Sequence, residues 1–264
     1  MAVAVCLTIL PSLGQHNTPP DADVSALLAK LRSSDGGERA QAYEKLRSDS
    51  MALEAPKVRA ALVDLLDREN LESDSRMREA LRRAKEPTHK TKGENEARGE
   101  GWAEYFSELV STVASIADWS DPHQVCILAK AGYIPDSLSP SEAALRERVA
   151  LPCLIQMSGS DLMLDRANAT QMLIQLSAQA RDALDANTGQ QGSEIVLRAL
   201  HDQDEGVRSE TVKSLEQFGT QEIIPALKQV AESDPAVDKV NHSYWIREYA
   251  AKAIAAIQQR AGQH

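Results

Sequence analysis

The sequence predicts an all-α protein built from stacked helical hairpins, and three observations carry that expectation. The first is composition. Of 264 residues, 42% are hydrophobic and only 4% aromatic, and a chain led by Ala, Leu, Glu, Gln and Arg favours helix over sandwich or barrel. The second is an arginine that returns at a period near forty residues. The third is a set of apolar stripes at i, i+3, i+4 and i+7 between those arginines, the spacing of one helix face.

The arginine serves as a ruler. Arg39, Arg166, Arg208 and Arg247 are followed three positions on by Ala42, Ala169, Thr211 and Ala250, and seven on by Leu46, Leu173, Leu215 and Ile254. Asp35 opens the first of these segments and Asp204 the third. Two further slots are degenerate. Asp74-Ser75-Arg76-Met77-Arg78 copies the opening 39 residues after Arg39, but its +7 position is Lys85; near residue 122 the slot reads Asp121-Pro122-His123-Gln124, with glutamine for arginine. Amphipathic first helices precede the good slots, through Leu27, Leu28 and Leu31, then Val196, Leu197 and Leu200, then Ile223, Ile224, Leu227 and Val230. Ser139-Pro140-Ser141-Glu142 is a capping box, Asp121-Pro122 a second helix start, and Gly132 and Gly219 mark helix ends. Pro152 is expected to kink or split the helix that begins at Pro140.

Helical pairs at this period, with Asp204-Glu205-Gly206-Val207-Arg208 and Trp245-Ile246-Arg247-Glu248-Tyr249-Ala250 opening second helices, resemble the HEAT-repeat family. The likeness is strong over 160–261, fair over 21–80 and poor between. It implies a right-handed α-α superhelix whose second helices line a concave face, because one pair cannot bury its stripe alone. It also implies structural work for Asp35, Asp74 and Asp204 and for Arg39, Arg78, Arg166, Arg208 and Arg247, capping a helix and bonding the next repeat.

The organisation that follows is a leader over 1–15, helical pairs over 21–81, a charged linker over 82–101 and further repeats over 102–261. Residues 1–15 carry no charge and residues 2–10 are a nine-residue apolar run, and Ser12 and Gly14 fit the small positions of a signal-peptide cleavage site, although no Lys or Arg precedes the run. Export to a periplasm or the exterior is the expectation, with the cytoplasm the alternative. The run is half the length a membrane span needs, so no stable membrane insertion is expected after cleavage. Cys126 and Cys153 sit in apolar helical contexts and read as core residues, with a single disulfide in an oxidising compartment as the other reading. The linker, rich in Pro, Gly and mixed charge, reads as solvated.

Catalytic signatures are missing: there is no HExxH, G-x-S-x-G, GxGxxG, Walker sequence or paired CxxC. No catalytic residue, metal ligand or cofactor is therefore assigned. His123, His201 and His242 lie at helix ends, where they would form a metal site only if the turns stacked together. The formal net charge of −10 opposes a phosphate backbone, so nucleic acid is not the expected partner. The candidate binding residues are Lys213 and Lys252, at the +5 position of adjacent second helices, with Trp245 and Tyr249 beside them; ordinary solubilising lysines and core-closing aromatics are the plainer readings. These residues point to a non-enzymatic scaffold for a protein or peptide on the concave face. The alternative is a lyase or chaperone for a bound cofactor, since HEAT-like repeats resemble those of the phycobilin-lyase family.

Overall fold

A computed structural model describes residues 21–84, 102–133, 135, 137–238, 240 and 242–262. Residues 1–20, where the leader is expected, and the part of the expected linker over 85–101 lie outside the described residues. Within them the chain is all helical: twelve α-helices and no strand. It divides into two compact units, Met1–Val58 and Arg59–His264.

The first unit contains α1 (Asp21–Lys30), α2 (Gly36–Arg47), α3 (Ser50–Glu54) and the opening of α4 (Pro56–Ala84). Its core is small: Val24 and Leu31 from α1 and its exit, Ala42, Tyr43 and Leu46 from α2, then Ala52 and Val58. Asp35 caps α2 by accepting from the Glu38 amide. Arg39 is buried and donates to the carbonyls of Ser33 and Ser34 at 3.1 and 3.2 Å, closing the turn that leads into its own helix.

The second unit holds the rest of α4, then α5 (Trp102–Ile116), α6 (Pro122–Lys130), α7 (Pro140–Ser158), α8 (Met163–Ala180), α9 (Ala186–Ala199), α10 (Glu205–Phe218), α11 (Ile224–Ser233) and α12 (Trp245–Ala261). Helix α7 packs on α8, α8 on α10, α10 on α12 and α11 on α12. One continuous core runs through them, from Val125 and Ala129 by way of Leu154, Leu173 and Val212 to Ile246 and Ile257. The ruler positions are where the pattern put them. Ala169, Thr211 and Ala250 are fully buried, and Leu173 and Leu215 lie beneath them. Small residues at +3 let neighbouring helices approach closely, while the aliphatics at +7 fill the space one turn on.

The arginines of this unit form a relay. Arg166 donates through Nη1 to the Ser160 carbonyl at 2.9 Å and forks through Nε and Nη2 onto the Asp202 carboxylate at 2.8 and 2.9 Å. Arg208 repeats the geometry, with Nη1 on the Asp202 carbonyl at 2.8 Å and the fork on Asp234 at 2.7 and 3.2 Å. Arg247 then donates to the Asp234 carbonyl at 2.7 Å. The bonds to these carboxylates hold the Arg166 and Arg208 guanidiniums above their ordinary range. Burial pushes the Asp202 carboxyl up, but the Arg166 fork and the Asp204 amide outweigh it and hold it below the usual range.

Several expectations need correction. Asp74 and Arg78 open no helix: both lie inside α4, which runs unbroken to Ala84, so residues 82–84 are helical rather than linker. The mismatch at +7 was the sign, since a segment that cannot present the stripe has no reason to start a second helix. Arg78 instead makes an exposed pair with Asp161 at 3.1 Å. Pro152 does not divide α7, which is one helix over nineteen residues. Cys126 and Cys153 are half-buried rather than core, and they form a disulfide that joins α6 to α7. The caps at Asp121, Ser139 and Asp204 stand as read, as do the helix ends at Gly132 and Gly219. Gly132, at φ 74°, adopts a left-handed conformation that a side chain would strain. Helices α8 and α12 carry no side-chain cap.

Breaking the relay should cost more than breaking a surface pair. Asp234→Ala strands Arg208, whose side chain is 9% exposed, and should lower unfolding free energy by about 3–5 kcal/mol. Asp161→Ala, which breaks the exposed Arg78 pair, should leave the urea midpoint unchanged. Equal shifts for the two variants in urea denaturation would contradict the relay's structural role.

Candidate functional site

The four candidate binding residues come together. The phase of α10 and α12 sets this: with Arg, +3 and +7 turned inward, +5 falls about 140° away at 100° per residue. Lys213 and Lys252 are accordingly exposed. Both ammoniums lie over the Tyr249 ring, 5.7 and 5.4 Å from its centre. Trp245 meets the same ring edge-on at 5.8 Å. Both aromatics are half-buried and pack against the end of the core, so they close it with one edge and line the surface with the other. The patch extends across α10 to α8. Glu210 accepts from Lys213 at 2.8 Å and from Gln171, the +5 residue of α8, at 3.2 Å. A cation over an aromatic face contributes about 0.5–1 kcal/mol at an exposed site, which biases the two long side chains toward one region without fixing them.

The remaining predicted positions are structural. Asp35 and Asp204 cap helices, and Arg39, Arg166, Arg208 and Arg247 bond turn carbonyls or carboxylates. Among the described residues no three His, Cys, Asp or Glu side chains come close enough to hold a metal, so His123, His201 and His242 form no shared site. No described helix is long and apolar enough to cross a membrane.

A second feature was not anticipated. Glu147, on α7, is fully buried. Its Oε1 accepts from the Ser177 hydroxyl at 2.9 Å, and its Oε2 has no protein hydrogen-bond partner. Burial pushes this carboxyl up to about 7, against the Ser177 bond, which lowers it; the charge of Asp185 adds a smaller upward push. The signal lay in the stripe of α7: Ala143, Ala144, Ala150, Leu151 and Leu154 are buried, and Glu147 occupies the turn between them, where an aliphatic belongs.

Ser177 also lines a groove of about 840 Å³ between α8, α9 and α10, as does Gly192. Its walls are apolar, from Ile174, Leu184, Val196, Leu215, Phe218 and Ile223. A side chain on Gly192 would stand 3.0 Å from Glu147 Oε1, close enough that the carboxyl would have to shift by a few tenths of an ångström. Arg181, at the groove's edge, has φ 48° and ψ −127°, a strained backbone for a residue with a side chain.

No protein-family model matches the chain, and no curated protein matches it either.

The sign of the Glu147 effect is definite. Its folded value, near 7, lies above the ordinary 4.5, so its contribution is fully present below about pH 4.5 and is lost as pH rises to about 7. The loss is about 3 kcal/mol. Glu147→Gln keeps the size and an acceptor for Ser177 while removing the titration. It should flatten stability between pH 4.5 and 8 and raise the thermal midpoint at pH 8. A variant whose pH profile parallels the parent's would show that Glu147 is not the titrating group.

Proposed function

We propose that the protein is a non-enzymatic binding module of HEAT-like hairpins, exported to an oxidising compartment, that holds an acidic peptide segment on the face of α8, α10 and α12. The observation that carries the reading is the pair of lysine ammoniums gathered over Tyr249, with Trp245 against the same ring. Two adjacent cations and an aromatic edge are what a Glu- or Asp-rich segment with an apolar residue requires, charge for register and ring for anchoring. On a chain of net charge −10 these two lysines gather cationic groups on one face, with Glu210 paired to Lys213 at its edge.

Two further observations support parts of this reading. The packing of α8 on α10 and of α10 on α12 is compatible with second helices stacked side by side, and Gln171 on α8 bonds Glu210 on α10 on the face that also carries Lys213. The Cys126–Cys153 disulfide suits a compartment outside the reducing cytoplasm.

Binding of a Glu-rich peptide, measured by calorimetry, should weaken at least tenfold in the Lys213→Glu/Lys252→Glu double variant and fall steeply with added salt. The Asp161→Ala variant serves as the folded control. Unchanged affinity in the double variant would remove this face from the site, and affinity insensitive to salt would remove charge as its basis.

A further inference from the structure

We propose that the two cavities bordered by Arg181 form one binding site for a single-chain alkyl carboxylate, with the chain in the groove between α8, α9 and α10 and the carboxylate on the Arg181 guanidinium. The inference stands apart from the peptide face and does not depend on it.

The two cavities divide the chemistry between them. The groove, at about 840 Å³, falls within the range that small-molecule sites occupy. Leu184, Leu197, Phe218 and Ile223 in its walls are only partly covered by the protein, so an alkyl chain lying there removes apolar surface from water on both sides. A second cavity, of about 560 Å³, shares Ala178, Arg181 and Phe218 with the groove, and these three residues stand at the boundary of the two. Among the described residues that line this smaller cavity, Arg181 is the one that carries a charge. Its glutamines are already engaged: Gln175 and Gln179 donate to the Pro135 carbonyl at 2.8 and 3.3 Å, and Gln179 accepts from the Leu138 amide at 2.7 Å. The Arg181 guanidinium and the Ser137 hydroxyl are left as the side-chain donors for a ligand.

Arg181 is the residue whose placement needs a reason. It is exposed, and among the described residues its guanidinium has no hydrogen bond or ion pair. Its backbone nevertheless sits at φ 48° and ψ −127°, which glycine adopts far more readily than a residue with a side chain. The core gains nothing from a long cation at this position. A strained backbone that holds an unpaired guanidinium where two cavities meet is accounted for by a ligand contact. A carboxylate matches that group, because both its oxygens can accept from one planar fork. Asp182 and Glu222 line the groove but not the smaller cavity. A carboxylate on the smaller-cavity side of Arg181 therefore stays clear of both, while the chain follows the apolar wall past Phe218. The reverse orientation would bring the head group toward two like charges.

Decanoate is the probe, titrated calorimetrically into the full chain at neutral pH, with decanol and decylamine of the same chain length alongside. Saturable one-to-one binding of decanoate, at least tenfold tighter than either, is the expected result. That order runs against the net charge of −10, which by itself draws in the amine. Octanoate should bind about fifteenfold more weakly than decanoate, about fourfold for each methylene lost. Arg181→Gly should lose at least tenfold in affinity for decanoate and leave decanol unchanged. The same variant should raise the thermal midpoint, because glycine fits this backbone, so the lost affinity is separated from any loss of folding. Leu197→Glu, which sets a like charge in the groove from an exposed position, should weaken decanoate and decanol together. The proposal is overturned if decanol or decylamine binds as tightly as decanoate, if octanoate binds as well as decanoate, if Arg181→Gly or Leu197→Glu binds decanoate as the parent does, or if no saturation is reached below millimolar decanoate.

Discussion

The relay of arginines is the constraint on which the second unit depends. Helix pairs packed only through aliphatic stripes can slide, because oil-like surfaces specify area better than register. Arg208 removes that freedom. Its guanidinium is fixed to the carbonyl six residues before it and to a carboxylate beyond α11, so the start of α10 and the loop into α12 cannot move independently. Arg166 does the same one hairpin earlier, through Asp202. Asp202 and Asp234 each serve twice: the carboxylate takes one guanidinium and the carbonyl of the same residue takes the next. The side chains also accept from amides two residues on, those of Asp204 and Ala236, which shapes the turns themselves.

Glu147 shows the opposite solution to burying a carboxyl. Asp202 is held charged because a planar cation and an amide meet both oxygens. Glu147 meets one hydroxyl and an unmatched void of partners, so its neutral form is favoured. The two groups give stability opposite slopes with pH. Asp202 contributes above its depressed value and is lost in acid; Glu147 contributes most in acid and is lost toward neutrality. Only the first arrangement is what a structure requires for itself. A buried ionisable group that weakens the fold at neutral pH invites a functional account.

Much of this was legible in the sequence, and the boundary is physical. Helix faces, caps and the arginine ruler depend on spacing along one helix, which the chain states directly; Ser139 with Glu142 and Asp204 with Gly206 are cases where three or four residues contain the whole interaction. The partners of the arginines were not legible, because Asp202 and Asp234 lie 36 and 26 residues away and only packing selects them from many acidic residues. The disulfide failed for a related reason: two half-buried cysteines 27 residues apart look like two core residues until α6 and α7 are laid side by side. Asp74 and Arg78 mislead in the other direction. A short motif matched, while the stripe that gives the motif meaning had already ended. Glu147 was readable in principle as a charge on a buried stripe, yet it needed the register of α7 to be known first.

The same phase that builds the core decides which residues face solvent. Arginine, +3 and +7 must face inward for the stack to close, so +5 must face out in every hairpin, whatever residue stands there. Glu44, Gln171, Lys213 and Lys252 occupy that position, and the first and the last two are exposed. Nothing in the packing fixes their chemistry. Helices of this phase thus separate two sets of residues by about 140°: one set restricted by neighbours, and one that the core does not restrict. Tyr249, at +2 from Arg247, falls on the free side while its inner edge still touches the core. That dual contact lets a surface of flexible lysines acquire a fixed centre, since the ring cannot move without disturbing α12. Core and surface are therefore written in different residues of the same helices, and knowledge of the first does not supply the second.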